Sequence, residues 1–184
     1  MRRLIVSENI TLDGVVGSPD KWFAPYQSDD IAEFMKGQMA TSDALLLGRA
    51  TYQEFAAYWP FQTNDDSGVA DYINKVAKFV VSSTLDKADW HNTTILSGNT
   101  AEEITNLKRQ NGKNIVVTGS AELAQSLMQH NLIDEYRLFL TPVVVGRGKR
   151  LFPDSIDAQT LEHVETKIFN SGVVMIRYQP TPRA

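Results

Sequence analysis

Residues 115–121 read Ile-Val-Val-Thr-Gly-Ser-Ala, a short β-branched run that passes through a glycine and a serine into a helical pattern. The pattern predicts a strand, a tight turn and a helix in direct succession. The N–H groups of the first helical turn, together with the helix dipole, then form an anion site suited to a phosphate. Gly119 would let the backbone approach such a ligand closely. The alternative is that Ser120 only caps the helix.

Similar apolar runs recur at residues 4–6, 44–47 and 79–81, each followed by a polar or glycine-containing stretch. Continuous runs of this length predict strands buried on both faces, as in a parallel sheet covered by helices. Residues 161–169 and 173–178 instead flank an Asn-Ser-Gly turn and predict a hairpin. We therefore predict an α/β fold whose mixed, mostly parallel sheet is flanked by helices and ends in an antiparallel hairpin.

Composition excludes several classes of protein. With 184 residues the chain is long enough for one ordinary domain. A formal net charge of −4 disfavours nucleic-acid binding, and the absence of cysteine removes disulfides and thiolate metal sites. No apolar run is long enough for a membrane span, and no His-x-x-x-His pattern suggests zinc. We expect a cytoplasmic protein without a metal ion, and the apolar C-terminal strands offer an interface for a homodimer.

Ligands in such sheets gather at the carboxyl ends of the strands, and two more turns there carry suitable groups. Arg49 follows a buried run and lies beside Thr51, where its guanidinium would suit a phosphate monoester such as the 2′-phosphate of NADP. The alternative is a surface ion pair with Glu54 or Asp43. Ser82 and Ser83 follow the next run and would add hydroxyls, or they are ordinary loop serines.

The order of these turns resembles the dihydrofolate reductase-like fold, and more closely the reductase domain of riboflavin biosynthesis (the RibD C-terminal family) and its stand-alone bacterial relatives. The matching stretches are residues 12–17 (LDGVVG), 46–52 (LLGRATY), 80–83 (VVSS), 117–120 (VTGS) and 132–146. They follow the family's order over nearly the whole chain. The resemblance implies one such domain over residues 1–184 and NADPH as the cofactor.

Site roles are carried over from the resemblance position by position. It implies that the adenosine-side phosphates are held by Gly48, Arg49 and Thr51, with Ser82 and Ser83 near the 2′-phosphate. The pyrophosphate would be wrapped by Gly119, Ser120, Ala121 and Leu123. Val16 and Gly17 would lie in a mobile loop over the nicotinamide. Folate-reducing members have two glycines where this chain has Gly119 and Ser120.

The candidate catalytic acid is Asp30. Folate-reducing members open the corresponding helix with a carboxylate followed four residues later by an aromatic, and Asp30 and Phe34 match that spacing. If Asp30 is buried, its pKa would rise and it could help to protonate a pterin-like ring. The alternative is that Asp29 or Asp30 caps the helix.

Substrate contacts are implied for Asp13, Trp22 and Tyr52. Trp22 lies in a long early loop and would stack on a heterocycle, or the loop's aromatic residues form a lid that packs on itself. Asp13 would contact the substrate, or it and Gly14 are turn formers.

These features lead to one functional hypothesis and two alternatives. The hypothesis is an NADPH-dependent reductase that transfers hydride to a small heterocyclic, pterin- or pyrimidine-like, or carbonyl-type substrate. It would be similar to dihydrofolate reductase or to 5-amino-6-(5-phosphoribosylamino)uracil reductase. The first alternative is a non-catalytic protein that binds or senses NADPH or another nucleotide on the same fold. The second is an enzyme that uses another nucleotide, such as a flavin.

Overall fold

Eight strands form one sheet in the computed structural model, which describes residues 1–62, 67–154 and 156–181. The strands are β1 (Leu4–Thr11), β2 (Ser42–Gly48), β3 (Ala77–Val81), β4 (Thr93–Leu96), β5 (Asn114–Val117), β6 (Glu135–Thr141), β7 (Leu161–Ile168) and β8 (Val174–Pro180). The α-helices are α1 (Asp29–Met39), α2 (Arg49–Tyr58), α3 (Val69–Lys75), α4 (Thr100–Arg109) and α5 (Ala121–Gln129). Three short 3₁₀ helices occupy Pro19–Lys21, Ala24–Tyr26 and Trp59–Phe61.

The strand order is β4-β3-β2-β5-β1-β6-β8-β7. All neighbouring pairs from β4 to β6 are parallel, whereas β8 is antiparallel to both β6 and β7. The mixed sheet and its C-terminal hairpin therefore confirm the predicted fold. Parallel pairing brings the carboxyl ends of β1, β2, β3 and β5 to one edge, which is where the phosphate-binding turns were expected.

Alternation along the strands divides the core between the two faces of the sheet. Leu4, Val6 and Ile10 of β1 pack in one cluster with buried residues of α4 and α5. A second cluster joins Ile31 of α1 to aromatic residues of the early loop and the C-terminal strands, and a third lies around β2, β3, α2 and α3. Both faces of β2 are buried, which explains its uninterrupted apolar sequence.

A cluster of charged side chains lies around the amino end of β6. The carboxylate of Glu135 has no exposed surface and accepts from Arg137 Nη2 at 2.6 Å, from Arg177 Nη2 at 3.1 Å and from Arg3 Nη2 at 3.1 Å. Burial alone would raise the pKa of Glu135, but hydrogen bonds and charge from Arg177 and Arg137 outweigh it and lower that pKa below its ordinary value. Glu135 is therefore a buried carboxylate that stays ionised.

Within the described residues, no helix combines the length and the apolar character needed to cross a membrane.

Candidate functional site

A chain of hydroxyl hydrogen bonds joins the β2–α2 turn to the β5–α5 turn. The Ser120 hydroxyl oxygen accepts from the Gly48 N–H at 2.8 Å and donates to the Thr51 hydroxyl at 2.9 Å. The Thr51 hydroxyl in turn donates to the Gly119 carbonyl at 2.9 Å. Two turns about 70 residues apart in sequence thus form one cleft edge. Ser120 is the N-cap residue of α5, but its side chain makes no capping hydrogen bond. Its hydroxyl joins the two turns instead.

Gly119 allows this close approach. Its φ is +72°, and a Cβ placed on it would come within 3.0 Å of Thr51 Cγ2. The next residue but one begins α5, whose first-turn N–H groups have no partner within the helix. The side chains of Ala121 and Leu123 are buried in the core, so only their backbone N–H groups are available to a ligand.

The β5–α5 turn also contacts a carboxyl that the sequence analysis did not consider. Glu8 of β1 is 4% exposed, and its Oε2 accepts from the Gly119 N–H at 3.0 Å. Its Oε1 is buried and has no hydrogen-bond partner among the described residues. Burial raises the pKa of Glu8 to about 8, although hydrogen bonds from the backbone of Gly119 and Ser120 act in the opposite direction. A glutamate at the core-facing position between Val6 and Ile10 was the available sequence signal.

Arg49 reaches the end of the neighbouring strand β3. Its Nη1 donates to the Thr84 hydroxyl at 2.8 Å, and its side chain is exposed. The expected alternative pairing with Asp43 does not occur, since Asp43 accepts from Arg2. No ion pair of Arg49 with Glu54 or any other carboxylate is present in the described parts of the chain. The guanidinium is thus held by a neutral hydroxyl and keeps donors for an anion.

The two serines after β3 differ in their surroundings. Ser82 is buried, and its hydroxyl oxygen accepts from the backbone N–H groups of Thr84 and Leu85 at 3.2 and 3.0 Å. This hydroxyl therefore shapes the turn that presents Thr84 to Arg49. Ser83 is exposed at the same edge. Thr84 belongs to the same polar turn in the sequence, but its contact with Arg49 was not predicted.

The early loop is tied down rather than open. Val16 is 5% exposed in the main core cluster, and its N–H donates to the Lys149 carbonyl at 2.8 Å. Gly17 also donates to Lys149, and its own carbonyl accepts from Trp22 Nε1 at 2.9 Å. Trp22 is 8% exposed and meets Phe23 edge to face at 6.4 Å. This arrangement matches a lid whose aromatic residues pack on one another.

Asp13 fixes the turn between the early loop and the segment after β6. Its carboxylate accepts from the Thr11 hydroxyl at 2.6 Å, from the Gly146 N–H at 2.8 Å and from the Val145 N–H at 3.3 Å. The Thr11 hydrogen bond, supported by those backbone donors, lowers the pKa of Asp13 to about 2. Both carboxylate oxygens are therefore engaged in holding loops, as the turn-forming interpretation expected.

Asp30 does not have the environment expected of a buried acid. It is the second residue of α1, and Ser28 rather than either aspartate is the N-cap residue. Its carboxylate accepts from the Ser28 hydroxyl and from the backbone N–H of Asn170 at 2.9 Å. These hydrogen bonds lower the pKa of Asp30, and the one from Ser28 has the largest effect. The condition for a raised pKa, a buried Asp30, is not met: the side chain is only half-buried, and its hydrogen bonds favour the ionised form.

Tyr52 is placed in the core rather than in the cleft. It is 5% exposed, its hydroxyl accepts from the Trp90 N–H at 3.3 Å, and the two rings lie 6.2 Å apart. It packs in the cluster around α2 and α3. One residue along an α-helix is a rotation of about 100°, so Thr51 meets the β5–α5 turn while Tyr52 turns away from it. The expected substrate contact from Tyr52 is not supported by this position.

The sheet order and the converging turns define a dihydrofolate reductase-like fold. The dihydrofolate reductase of Enterococcus faecalis, solved with NADP(H), superimposes with a TM-score of 0.66 at 19% identity, covering 98% of this chain and 97% of that one. A Shewanella sp. PV-4 protein assigned to riboflavin biosynthesis superimposes with a TM-score of 0.80 at 18% identity, covering 98% and 99%. At these identities the structural likeness concerns the fold.

More particularly, the chain belongs to the RibD C-terminal domain family, whose model matches residues 2–175. It is 32% identical over 183 residues to the uncharacterized protein YyaP of Bacillus subtilis (strain 168), covering 96% of this chain and 94% of YyaP. Both the predicted fold and the predicted family are thereby confirmed.

Proposed function

We propose that this protein is a reductase that binds NADPH across the β2–α2, β3 and β5–α5 turns and transfers hydride to a small pterin- or pyrimidine-like heterocycle or a carbonyl compound. The observation that carries the proposal is the hydroxyl chain through Ser120 and Thr51, which joins the β2–α2 and β5–α5 turns at one edge of the sheet. The family relationship supports the same function.

Arg49 is the residue proposed to hold the 2′-phosphate of NADPH. It is exposed, lacks a carboxylate partner within the described residues, and donates to the hydroxyl of Thr84, which follows Ser83 after the end of β3. A guanidinium donates two parallel hydrogen bonds to a phosphate monoester, which NADH does not carry. Arg49 would therefore distinguish the two cofactors.

The pyrophosphate is proposed to lie at the N-terminus of α5. The N–H of Gly119 is used by Glu8, so the donors that remain are those of the first turn, including Ala121 and Leu123. These groups and the helix dipole favour an anion. When bound, the cofactor supplies the hydride, and the protein orients it and limits water. Val16, Gly17 and Trp22 would cover the nicotinamide side.

Asp30 is not assigned the role of proton donor. A carboxyl whose pKa is lowered is ionised near neutral pH and has no proton to give. The same observation favours a second candidate function, in which the protein binds the dinucleotide without turnover. Consumption of NADPH absorbance with pterin, pyrimidine or dicarbonyl acceptors would support the reductase, and tight binding without consumption of any of them would support the second function.

The cofactor assignment is tested by Arg49→Ala. We expect the Kd for NADPH to rise by roughly 10- to 100-fold, as for loss of a charge-assisted hydrogen bond of about 1.5–3 kcal/mol, while the Kd for NADH changes little. Quenching of tryptophan fluorescence measures both. Arg109→Ala is a matched control, since Arg109 is an exposed arginine at the far end of α4. Equal loss of both cofactors in Arg49→Ala would contradict the assignment.

A further inference from the structure

The buried carboxyl of Glu8 lies directly beneath the turn assigned to the pyrophosphate. Its Oε2 accepts the N–H of Gly119, and its Oε1 is enclosed without a partner among the described residues. The Glu8 side chain is thus hydrogen-bonded to the same turn that would receive an anion. An ionised carboxylate in this position would place a second negative charge next to the ligand in a region from which water is excluded.

Among the residues that the structure describes, no cation forms an ion pair with Glu8. On β6, the residues that share the face of Glu8 are Tyr136, Leu138 and Leu140, whereas Arg137 lies opposite Ser7 on the other face. Burial raises the pKa of Tyr136 to about 12, so this group stays neutral. β5 carries no charged residue. On α5 the first-turn Glu122 is exposed and pairs with Lys149 at 2.6 Å, while Arg150 donates to the Asp13 carbonyl.

Another group that titrates in the same range lies elsewhere. Burial lowers the pKa of Lys78 to about 8. Lys78 is paired with Leu45 in the sheet and its ammonium lies 4.4 Å from the Trp90 ring, in the cluster around α2 and α3. It is therefore on the opposite face of the sheet from Glu8. Any effect of Lys78 on binding would be the same with or without the Glu8 carboxyl.

We propose that Glu8 is the proton-binding residue of the cofactor cleft: it is neutral when a dinucleotide is bound, and the protein takes up a proton as the pyrophosphate enters the β5–α5 turn. The inference rests on the proposed function, and it assigns to Glu8 a positioning role that acts through Gly119 rather than a step in hydride transfer. Neutral Glu8 still accepts the Gly119 N–H without opposing the ligand's charge. Ionised Glu8 would oppose it.

The test compares the Kd for NADPH of the wild-type protein and Glu8→Gln from about pH 7 to about pH 9.5. The 2′-phosphate is already about 90% doubly ionised at pH 7, since its second pKa is about 6, so its own titration changes the Kd little over this range. For wild type we expect the Kd to rise by roughly tenfold or more, following the tenfold change per pH unit above the pKa of one group. Glu8→Gln mimics the neutral carboxyl, and its Kd should stay nearly constant. Glu162→Gln, an exposed strand glutamate, should behave like wild type.

Proton uptake by the wild-type protein gives a second readout that needs no variant. At pH 8 about half a proton should be taken up per NADPH bound, as expected for a group titrating near that pH. Titration calorimetry in two buffers of different ionisation enthalpy measures it. A constant wild-type Kd with no proton uptake, or an equal pH dependence in wild type and Glu8→Gln, would overturn the proposal. If wild type binds no dinucleotide at any pH, the proposed function itself fails and this inference with it.

Discussion

Glu8 and Glu135 are buried glutamates on the neighbouring strands β1 and β6, but they lie on opposite faces of the sheet and in opposite electrostatic surroundings. Three arginines surround Glu135, and its pKa is lowered. Glu8 has only backbone N–H donors, and its pKa is raised to about 8. Burial disfavours the ionised form of both side chains, so the partners decide the outcome. The comparison separates a carboxylate that serves the fold from a carboxyl that can exchange a proton near neutral pH.

The largest effect is expected for Glu135→Ala. Removing this carboxylate leaves Arg137 buried without its partner, and breaking a buried ion pair in this way costs about 3–5 kcal/mol of unfolding free energy. Urea unfolding at neutral pH measures the loss. Glu165→Ala is the control, since Glu165 is partly exposed and pairs with Nη1 of Arg177. Equal losses in the two variants would show that the buried cluster has no special role.

Unlike Glu135→Ala, Glu8→Gln should increase the free energy of unfolding, and by an amount that depends on pH. A folded-state pKa above the unfolded value means that wild-type stability is fully present below about pH 4.5 and declines as the pH rises to about 8. The variant should therefore become the more stable protein near pH 8, by on the order of a few kcal/mol, because the unfolded chain ionises Glu8 over a pH range in which the folded protein keeps it neutral. Thermal unfolding at several pH values measures this difference. A constant difference between the two proteins would contradict the assigned protonation.

Glu135 should show the reverse dependence. Its folded-state pKa is lowered, so its contribution is present above the ordinary glutamate pKa and is lost as the pH falls through the folded-state value. The loss of stability at acid pH thus reports on Glu135, and the loss at alkaline pH reports on Glu8.

A smaller effect is expected for Gly119→Ala, which changes the donor shared with Glu8. The positive φ costs an L-residue about 1–2 kcal/mol, and the added Cβ would press on Thr51. We also expect NADPH binding to weaken, because the turn must shift. Gly37→Ala is the matched control, since it lies in α1 with open space around it and should stabilise the protein by about 0.5–1 kcal/mol. Unchanged stability in Gly119→Ala would mean that the turn is not constrained.

The fold could be predicted because its signals are local and repeated. The apolar runs of β2, β3 and β5 each end in a turn, and the change to a hairpin after residue 160 is visible in the Asn-Ser-Gly turn. Parallel pairing then brings the turns together without further information. The expectation that Arg49 and Ser120 share one edge followed from this topology.

The errors concern surroundings that come from distant parts of the chain. Asp30 was assigned from its resemblance to folate-reducing members, but its pKa depends on Ser28 and on the backbone of Asn170, which is far away in sequence. Tyr52 adjoins Thr51, which contacts the β5–α5 turn, yet its own ring packs on Trp90. Glu8 was missed because its raised pKa depends on the lack of a cationic partner among the described residues, which the sequence does not show. Sequence shows which groups are present more readily than which groups are near them.

The hydrogen bonds of the Ser120 hydroxyl have a consequence for the kinetics of ligand binding. Because its hydroxyl already joins Gly48 to Thr51, the edge proposed to bind the phosphates is ordered before any ligand arrives. Little conformational entropy would then be lost there on association, and this edge should act as the first docking point for an incoming dinucleotide. If the proposed function holds, any slower rearrangement would be expected at the proposed nicotinamide side, where the early loop is held by the hydrogen bond from Trp22 to Gly17.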